Sequence, residues 1–427
     1  MRRSSHTAGS GPLTAARYDY ISIIMETSSA SLPPLRPEPP TIPYAQTTIA
    51  LDAGHYADIR RTVELLFRIA HSEPYRALVD PGVDSLRTHE PGNSGVMMGY
   101  DFHMTEAGPR LIEINTNAGG ALLNGFRTAA LCDPHELAGA CSGLLSAEEM
   151  GERVVETFRA EFEAVRGGDA VLRSVAIVDE RPGEQFLHPE FELFRELLER
   201  SGIRAEIGDT GELVRTASGG IELGEMPVDL VYLRDTDFAL EMPRTASLRA
   251  AYLAGGVVVT PSPREHHLLA DKRRLTLFSS RESLLRLGVD SEDAAFLAEM
   301  VPETRLLGEM SFEEVWRTRR DWVFKPATSF GSKAVYRGDK VSKRKLREIH
   351  PEEHYLAQRR IEPGAVQIAA AGRLQTMKFD VRAYAYRDRP LFLGARVYQG
   401  QVTNFRSPGG GFSAVCVLAG DPESGGG

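Results

Sequence analysis

The chain has 427 residues, 42% hydrophobic and 26% charged, an ordinary globular composition with length for about two or three domains. Its 50 basic and 59 acidic side chains leave a formal charge of −9, which argues against a general nucleic-acid or anionic-membrane role. No apolar run reaches the roughly 18 residues of a membrane span, and Cys132, Cys141 and Cys416 are odd in number and lack C-x-x-C spacing, so neither a disulfide framework nor a zinc site is expected and cytoplasm is the default compartment.

Residues 1–45 are rich in Ser, Thr, Ala and Pro and end in SLPPLRPEPPTIP, a composition that cannot bury enough apolar surface to order itself, so we read a disordered arm. Within it ISIIM is too short for a signal-peptide core, and Met25 is a candidate start. TVELLFRIAHSEPYRALV then has apolar residues at helical spacing. DFHM and LIEINT flank the polar turn TEAGPR, which predicts an antiparallel hairpin with Asp101 facing Glu113 and Asn115. Glu113 and Asn115 share one strand face in apolar surroundings, so two hard oxygen donors point the same way and call for a cation or a substrate.

Residues 135–166 read as helical. SVAIVDE, FELFRELLERSG, LVYLRD and GGVVVTPS follow as alternating strand and helix in an α/β pattern. After a helix from ADKRRLTLF, strands recur at WVFKPA, YLAQRRI, KFDVRAYAY and LFLGARVY, the last two joined by the turn RDRP. The tail DPESGGG is a solvated end, and the chain has no internal repeat.

Lys325 closes WVFKP and precedes ATSFGSKA, with Ser329, Gly331 and Ser332. Small residues let backbone N–H groups approach an anion and the lysine adds a point charge, which is phosphate chemistry, although taken alone such a loop is most often an ordinary turn and it is not the Walker pattern. YLAQRRIEPG has the profile of a linker between lobes, whose backbone suits an adenine edge. KFDVRAY puts Asp380 and Arg382 on one strand face, and GARVYQGQVTNFRSPGGGF places Arg396, Asn404 and Arg406 before a Gly-rich loop. Each Asp/Arg pair alone reads as a structural salt bridge. His266 and His267 read as core or surface residues, and Trp316, Trp322 and the tyrosines show no interleaving with basic residues of the kind that marks single-stranded nucleic-acid binding.

DFHMTEAGPRLIEINTNAGG resembles the signature of the ATP-grasp superfamily, in which an Asp and a later Glu-x-Asn hold magnesium ions on ATP, as in D-alanine:D-alanine ligases and glutathione synthetases. WVFKPATSFGSK is similar to that family's lysine and phosphate loop, ADKRR to its earlier nucleotide-contacting lysine, and AQRRIEPG to its adenine hinge. KFDVRAY with ARVYQGQVTNFRSPGGGF is similar to the core of ribosomal-protein glutamate ligases and bacterial glutathione synthetases. The order, with the Asp and Glu-x-Asn element first, resembles the circularly permuted eukaryotic-type glutathione synthetases, as does SVAIVDERPG…VDLVYLRD…TPSPREHHLLADKRR. Three positions depart from the pattern: Ser329 replaces an acidic residue, Gly99 an arginine and Pro408 an asparagine.

The resemblance implies an α+β, circularly permuted ATP-grasp fold of two lobes with an inserted α/β substrate-type domain. The expected division is a disordered arm at 1–45, a permuted core part with the metal ligands at 46–165, an α/β domain at 166–270, a nucleotide-binding lobe at 271–365, core strands at 366–420 and a flexible tail at 421–427. It implies Mg²⁺ on Asp101, Glu113 and Asn115, and ATP on Lys272, Lys325, Ser329, Gly331 and Ser332 with the hinge Gln358, Arg359, Arg360, Ile361 and Glu362. Arg382, Arg396 and Arg406 would stabilise the reacting centre. The implied activity is ATP-dependent joining of a small-molecule carboxylate and an amine through an acyl-phosphate, by a cytoplasmic enzyme, a homodimer, without nucleic-acid or membrane partners. An ATP-grasp phosphotransferase and a non-catalytic nucleotide-binding interaction protein are the alternatives.

Overall fold

The computed structural model describes residues 42–131, 141–142, 145–327, 334–351, 354–370, 373–401, 403–404 and 407–418. Outside this set lie nearly all of the expected arm, the expected tail, Cys132 and the expected site residues Ser329, Gly331, Ser332 and Arg406.

The first part of the chain supplies β1 (Tyr44–Leu51), β2 (Met98–Thr105), β3 (Gly108–Asn115) and β4 (Cys141–Ser142). The middle supplies β5 (Ser174–Asp179), β6 (Arg204–Asp209), β7 (Leu213–Arg215), β8 (Ile221–Leu223), β9 (Met226–Val228), β10 (Leu230–Leu233) and β11 (Val258–Thr260). The next stretch gives β12 (Thr304–Leu306), β13 (Trp322–Pro326), β14 (Tyr336–Arg337) and β15 (Tyr355–Arg359), and the last gives β16 (Gly364–Ala370), β17 (Arg373–Tyr386), β18 (Arg389–Tyr398) and β19 (Gly411–Leu418).

An eight-stranded sheet runs β1-β19-β18-β17-β2-β3, with β16 paired to β17 and β4 to β19. It draws its strands from both ends of the chain. The helix Ala53–Ala70 starts at Asp52, whose side chain accepts from the backbone N–H groups of Gly54 and His55, and it turns Ile59, Val63, Leu66 and Ile69 inward at the i, i+4, i+7 spacing of an amphipathic helix. These side chains join one apolar cluster with Phe102, Leu111, Val381 and Val397, so helix and sheet are held by burial of about 1.5–3 kcal/mol per large apolar side chain.

The middle segment forms a parallel sheet, β11-β10-β5-β6. Phe158, Phe194 and Tyr232 pack edge to face behind it with ring centroids 5.0–6.0 Å apart. Their cluster continues into Ala118, Leu122 and Tyr384, so this unit is packed directly onto the segment leaving β3. The antiparallel sheet β12-β15-β13-β14 completes a second lobe around Trp322, Phe324, Leu346 and Ala357.

Three expectations are corrected here. The reading of a disordered arm to residue 45 is too long, because Tyr44 and Ala45 already belong to β1, which pairs in parallel with β19. The helix expected over 135–166 begins at Ala147, with a capping box between Ser146 and Glu149, and Cys141–Ser142 is a strand instead. Cys141 and Cys416 are joined by a disulfide with Cα atoms 5.4 Å apart; β4 and β19 pair Cys141 with Leu418, a proximity that sequence spacing does not reveal. The bridge removes the ground on which a cytoplasmic setting was expected. Among the described residues no helix is long and apolar enough to cross a membrane.

Glu161 ties the middle unit to the start of β2. It is fully buried, and its carboxylate accepts from Asn93 Nδ2 at 2.8 Å, the Ser94 backbone N–H at 3.0 Å and Thr260 Oγ1 at 2.7 Å. Glu161→Ala strands those three donors in the interior, and denaturant unfolding should show a loss of about 3–5 kcal/mol; a change within about 0.5 kcal/mol would mean the three donors find other partners.

Candidate active site

The β2–β3 hairpin has the register expected of it. Asp101 lies opposite Glu113 and Gly99 opposite Asn115, and Gly108, at φ 100°, takes the turn conformation that glycine adopts without steric cost. On the other side of β2, β17 sets Arg382 opposite Asp101 and Tyr384 opposite Gly99. β18 in turn sets Arg396 opposite Asp380. Four strands therefore converge their polar side chains on one region of the sheet.

Asp101 is 2% exposed. It accepts from Arg382 Nε at 2.5 Å and Nη2 at 2.7 Å, from Arg396 Nη2 at 3.0 Å and from Asn115 Nδ2 at 3.2 Å. Burial by itself would raise its pKa, but the Arg382 and Arg396 charges and their hydrogen bonds outweigh it and hold the carboxyl well below the usual range. Arg396 is oriented from behind by Asp380, through a 2.7 Å bond to Nε, and Thr403 Oγ1 donates to the other Asp380 oxygen at 2.7 Å. Asp380, whose part the sequence leaves open, is thus a positioning group. Arg382 Nη1 also donates to the Gly119 carbonyl at 3.2 Å, which Tyr384 supports through its hydroxyl at 3.0 Å.

Gly99 explains one departure from the family pattern. A Cβ at this position would meet Ala118 Cβ at 2.5 Å and lie 3.4 Å from Arg382 Cδ and Nε. Where the resemblance calls for an arginine, this chain has no side chain at all, and Arg382 reaches across from β17 beside the space.

Lys272 Nζ lies 3.1 Å from Glu113 Oε1. Lys325, from β13, donates to Gln358 Oε1 at 2.7 Å and to the Ile112 carbonyl at 3.1 Å. Gln358 faces it because β13 and β15 pair Val323 with Gln358, on the side of the sheet that Lys325 also occupies. Burial lowers the Lys325 pKa, an effect opposed by the Glu113 and Asp101 charges and reinforced by Lys272. Asp101, Glu113, Lys272, Lys325, Gln358 and Arg396 all border one cavity of about 160 Å³.

The crossover from β15 to β16 forms the cavity's far wall through Arg359, Arg360, Ile361 and Glu362. Its backbone is partly committed, since the Arg359 N–H donates to the Glu303 carbonyl and the Arg360 N–H to the Asp321 carbonyl, each at 2.7 Å. Arg360 pairs with Glu362. Among the described residues no group of three His, Cys, Asp or Glu side chains is arranged to hold a metal. Glu113 and Asn115 remain as adjacent hard oxygen donors on the cavity side of β3, a donor set that suits Mg²⁺; Asp101 borders them through Asn115 while its own oxygens serve the arginines.

His103 is a cavity residue that the sequence reading did not name. Its signal was available, because it stands two residues after Asp101 on the same strand face. His266 and His267, read as core or surface, are respectively stacked on Phe238 at 4.2 Å and hydrogen-bonded to Asp80 at 3.1 Å.

No known family model and no curated protein matches the sequence. Solved structures do. A glutathione synthetase like-effector from Globodera pallida aligns over 88% of this chain and 90% of its own, at 11% identity and a TM-score of 0.56. A candidate gamma-glutamylcysteine synthetase from Methylobacillus flagellatus KT aligns over 83% and 85% at 12% identity and TM-score 0.46, and a RimK domain ATP-grasp protein from Sphaerobacter thermophilus DSM 20745 over 53% and 89% at 18% and 0.28. The first of these carries the fold comparison. The chain has an α+β fold of ATP-grasp type in a glutathione synthetase-like arrangement.

The Asp101 cluster makes a pH-dependent prediction. The unfolded carboxyl protonates near its ordinary pKa, about 3.9, and the folded one only at lower pH. The stabilisation is therefore present above about pH 4 and lost as pH falls through the depressed folded value. Asp101→Asn should cost about 3–5 kcal/mol at pH 7, by stripping buried Arg382 of its counter-charge and leaving Arg396 with Asp380 alone. In urea unfolding that gap should hold down to about pH 5 and narrow only below about pH 4; a gap that vanishes between pH 7 and pH 5 would contradict the ion cluster.

Proposed function

We propose that the chain is an ATP-dependent carboxylate–amine ligase that activates a small-molecule carboxylate as an acyl-phosphate and captures it with an amine. The observation that supports this reading is the meeting, at one cavity, of the oxygen donor Glu113, the cations Lys272 and Lys325, and Arg396, with Asn115 on the same strand face as Glu113 and bonded to Asp101, and Arg382 held behind by Asp101.

In this reading Glu113 and Asn115, with Asp101 next to them, would hold Mg²⁺, which would supply charge neutralisation at the phosphates. Lys272 and Lys325 take phosphate oxygens in exchange for Glu113 and Gln358, and Ser329, Gly331 and Ser332 follow Lys325 as backbone phosphate contacts. Phosphoryl transfer and acyl capture both concentrate negative charge on oxygen, first around phosphorus and then at the tetrahedral carbon. Preorganised guanidinium groups stabilise such charge without having to reorganise. Arg396 is so preorganised by Asp380 and Arg382 by Asp101, and Arg406 belongs to the same role. The hinge 358–362 takes the base.

Phosphate release from ATP, measured across paired carboxylates and amines, tests the assignment. Release that requires both partners is the expected result, and a phosphorylated product formed without any amine would assign a phosphotransferase instead. Glu113→Gln should keep the fold while lowering turnover at least about 100-fold, since a neutral amide neutralises a divalent cation poorly. Turnover equal to that of the unmutated chain at saturating Mg²⁺ would remove Glu113 from the metal site.

A further inference from the structure

His103 lines the cavity between β2 and the β15–β16 crossover, and its Nδ1 lies 2.8 Å from the Ile361 carbonyl oxygen. A carbonyl only accepts, so Nδ1 carries the proton. In the neutral imidazole with Nδ1 so protonated, Nε2 is the acceptor. Among the described residues Nε2 has no hydrogen-bond partner. Ile361 thus fixes both the orientation and the tautomer of the ring. It does so in the stretch of backbone against which the base is proposed to lie, where two amides are already spent on Glu303 and Asp321.

We propose that His103 reads the base of the bound nucleotide: its Nε2 accepts a hydrogen bond from the exocyclic amine of adenine and opposes a purine that carries a carbonyl oxygen at that position. The proposal rests on the ATP-site reading above and adds a specificity-determining side chain to it. The chemistry is that of an acceptor facing a donor. Hypoxanthine and guanine present an oxygen there, so two lone pairs would meet, whereas an unsubstituted purine merely loses the bond. A ribose hydroxyl is also a donor, and the test distinguishes it from the amine.

The test is calorimetric affinity for Mg²⁺-bound, non-hydrolysable analogues of adenosine, inosine, purine-riboside, 2′-deoxyadenosine and 3′-deoxyadenosine triphosphates. It is run on the unmutated chain, His103→Leu and His103→Gln. The unmutated chain should favour the adenosine over the inosine analogue about tenfold, the worth of one hydrogen bond. His103→Leu should compress that ratio to within about twofold, while His103→Gln, whose amide can donate to Ile361 and still accept from the amine, should keep most of it. Equal affinity of the unmutated chain for the adenosine, inosine and purine-riboside analogues overturns the proposal, even if Leu at 103 prevents folding. So does an unchanged ratio in a folded His103→Leu, or a loss confined to discrimination among the deoxyribose analogues, which would assign His103 to the sugar. Absence of nucleotide binding by the unmutated chain overturns the ATP-site reading together with this one.

Discussion

Asp101 is a desolvated carboxylate in the middle of a sheet, tolerable only with opposite charges in contact. Arg382 and Arg396 supply them from the next two strands, and each is fixed a second time, Arg382 on the Gly119 carbonyl and Arg396 on Asp380. That requirement locks the alignment of β2, β17 and β18, and through the hairpin it sets where β3 presents Glu113 and Asn115. It also demands the missing side chain at Gly99, where a Cβ would strike Ala118 and crowd Arg382. Geometry that looks like catalytic equipment is therefore also the cluster that keeps the sheet in register.

Around this fixed cluster the remaining charges satisfy one another. Lys272 rests on Glu113, and Lys325 on Gln358 and the Ile112 carbonyl. A lysine buried without a partner loses the protonated form that a phosphate needs. These contacts offset that cost in the absence of ligand. On the proposed reading, Glu113 would turn from Lys272 to hold Mg²⁺, and phosphates would give both lysines better partners. The exchange is close to balanced in charge, so nucleotide and metal should bind as one unit.

Much of the hairpin was legible because a strand has period two: the spacing of Asp101, Glu113 and Asn115 carries its own geometric meaning. Lys272 and Lys325 were legible through the family pattern, and the structure sets both at the cavity with Glu113 and Gln358. What stayed hidden depends on contacts between distant parts of the chain. The start of β1 was read as the end of a polar arm and the rest of it was not predicted, because its place is decided by parallel pairing with β19, more than three hundred and fifty residues away. The Cys141–Cys416 bridge follows from that same closure of the sheet by its termini. The small sheet β7-β8-β9 was missed because strands of three residues carry too little periodicity. Asp380 looked like a local salt-bridge partner for Arg382 on its own strand, whereas the pleat and the neighbouring strand hand it to Arg396.

The proposed ligase chemistry requires one coupled site for metal and nucleotide. Titrating the unmutated chain with a non-hydrolysable ATP analogue, with Mg²⁺ and with Mg²⁺ replaced by a chelator, tests it most directly. The account predicts clear binding with Mg²⁺ and at least about tenfold weaker binding without it, the cost of leaving Glu113 and the phosphates to face each other un-neutralised. Binding of equal strength with and without the ion would contradict it.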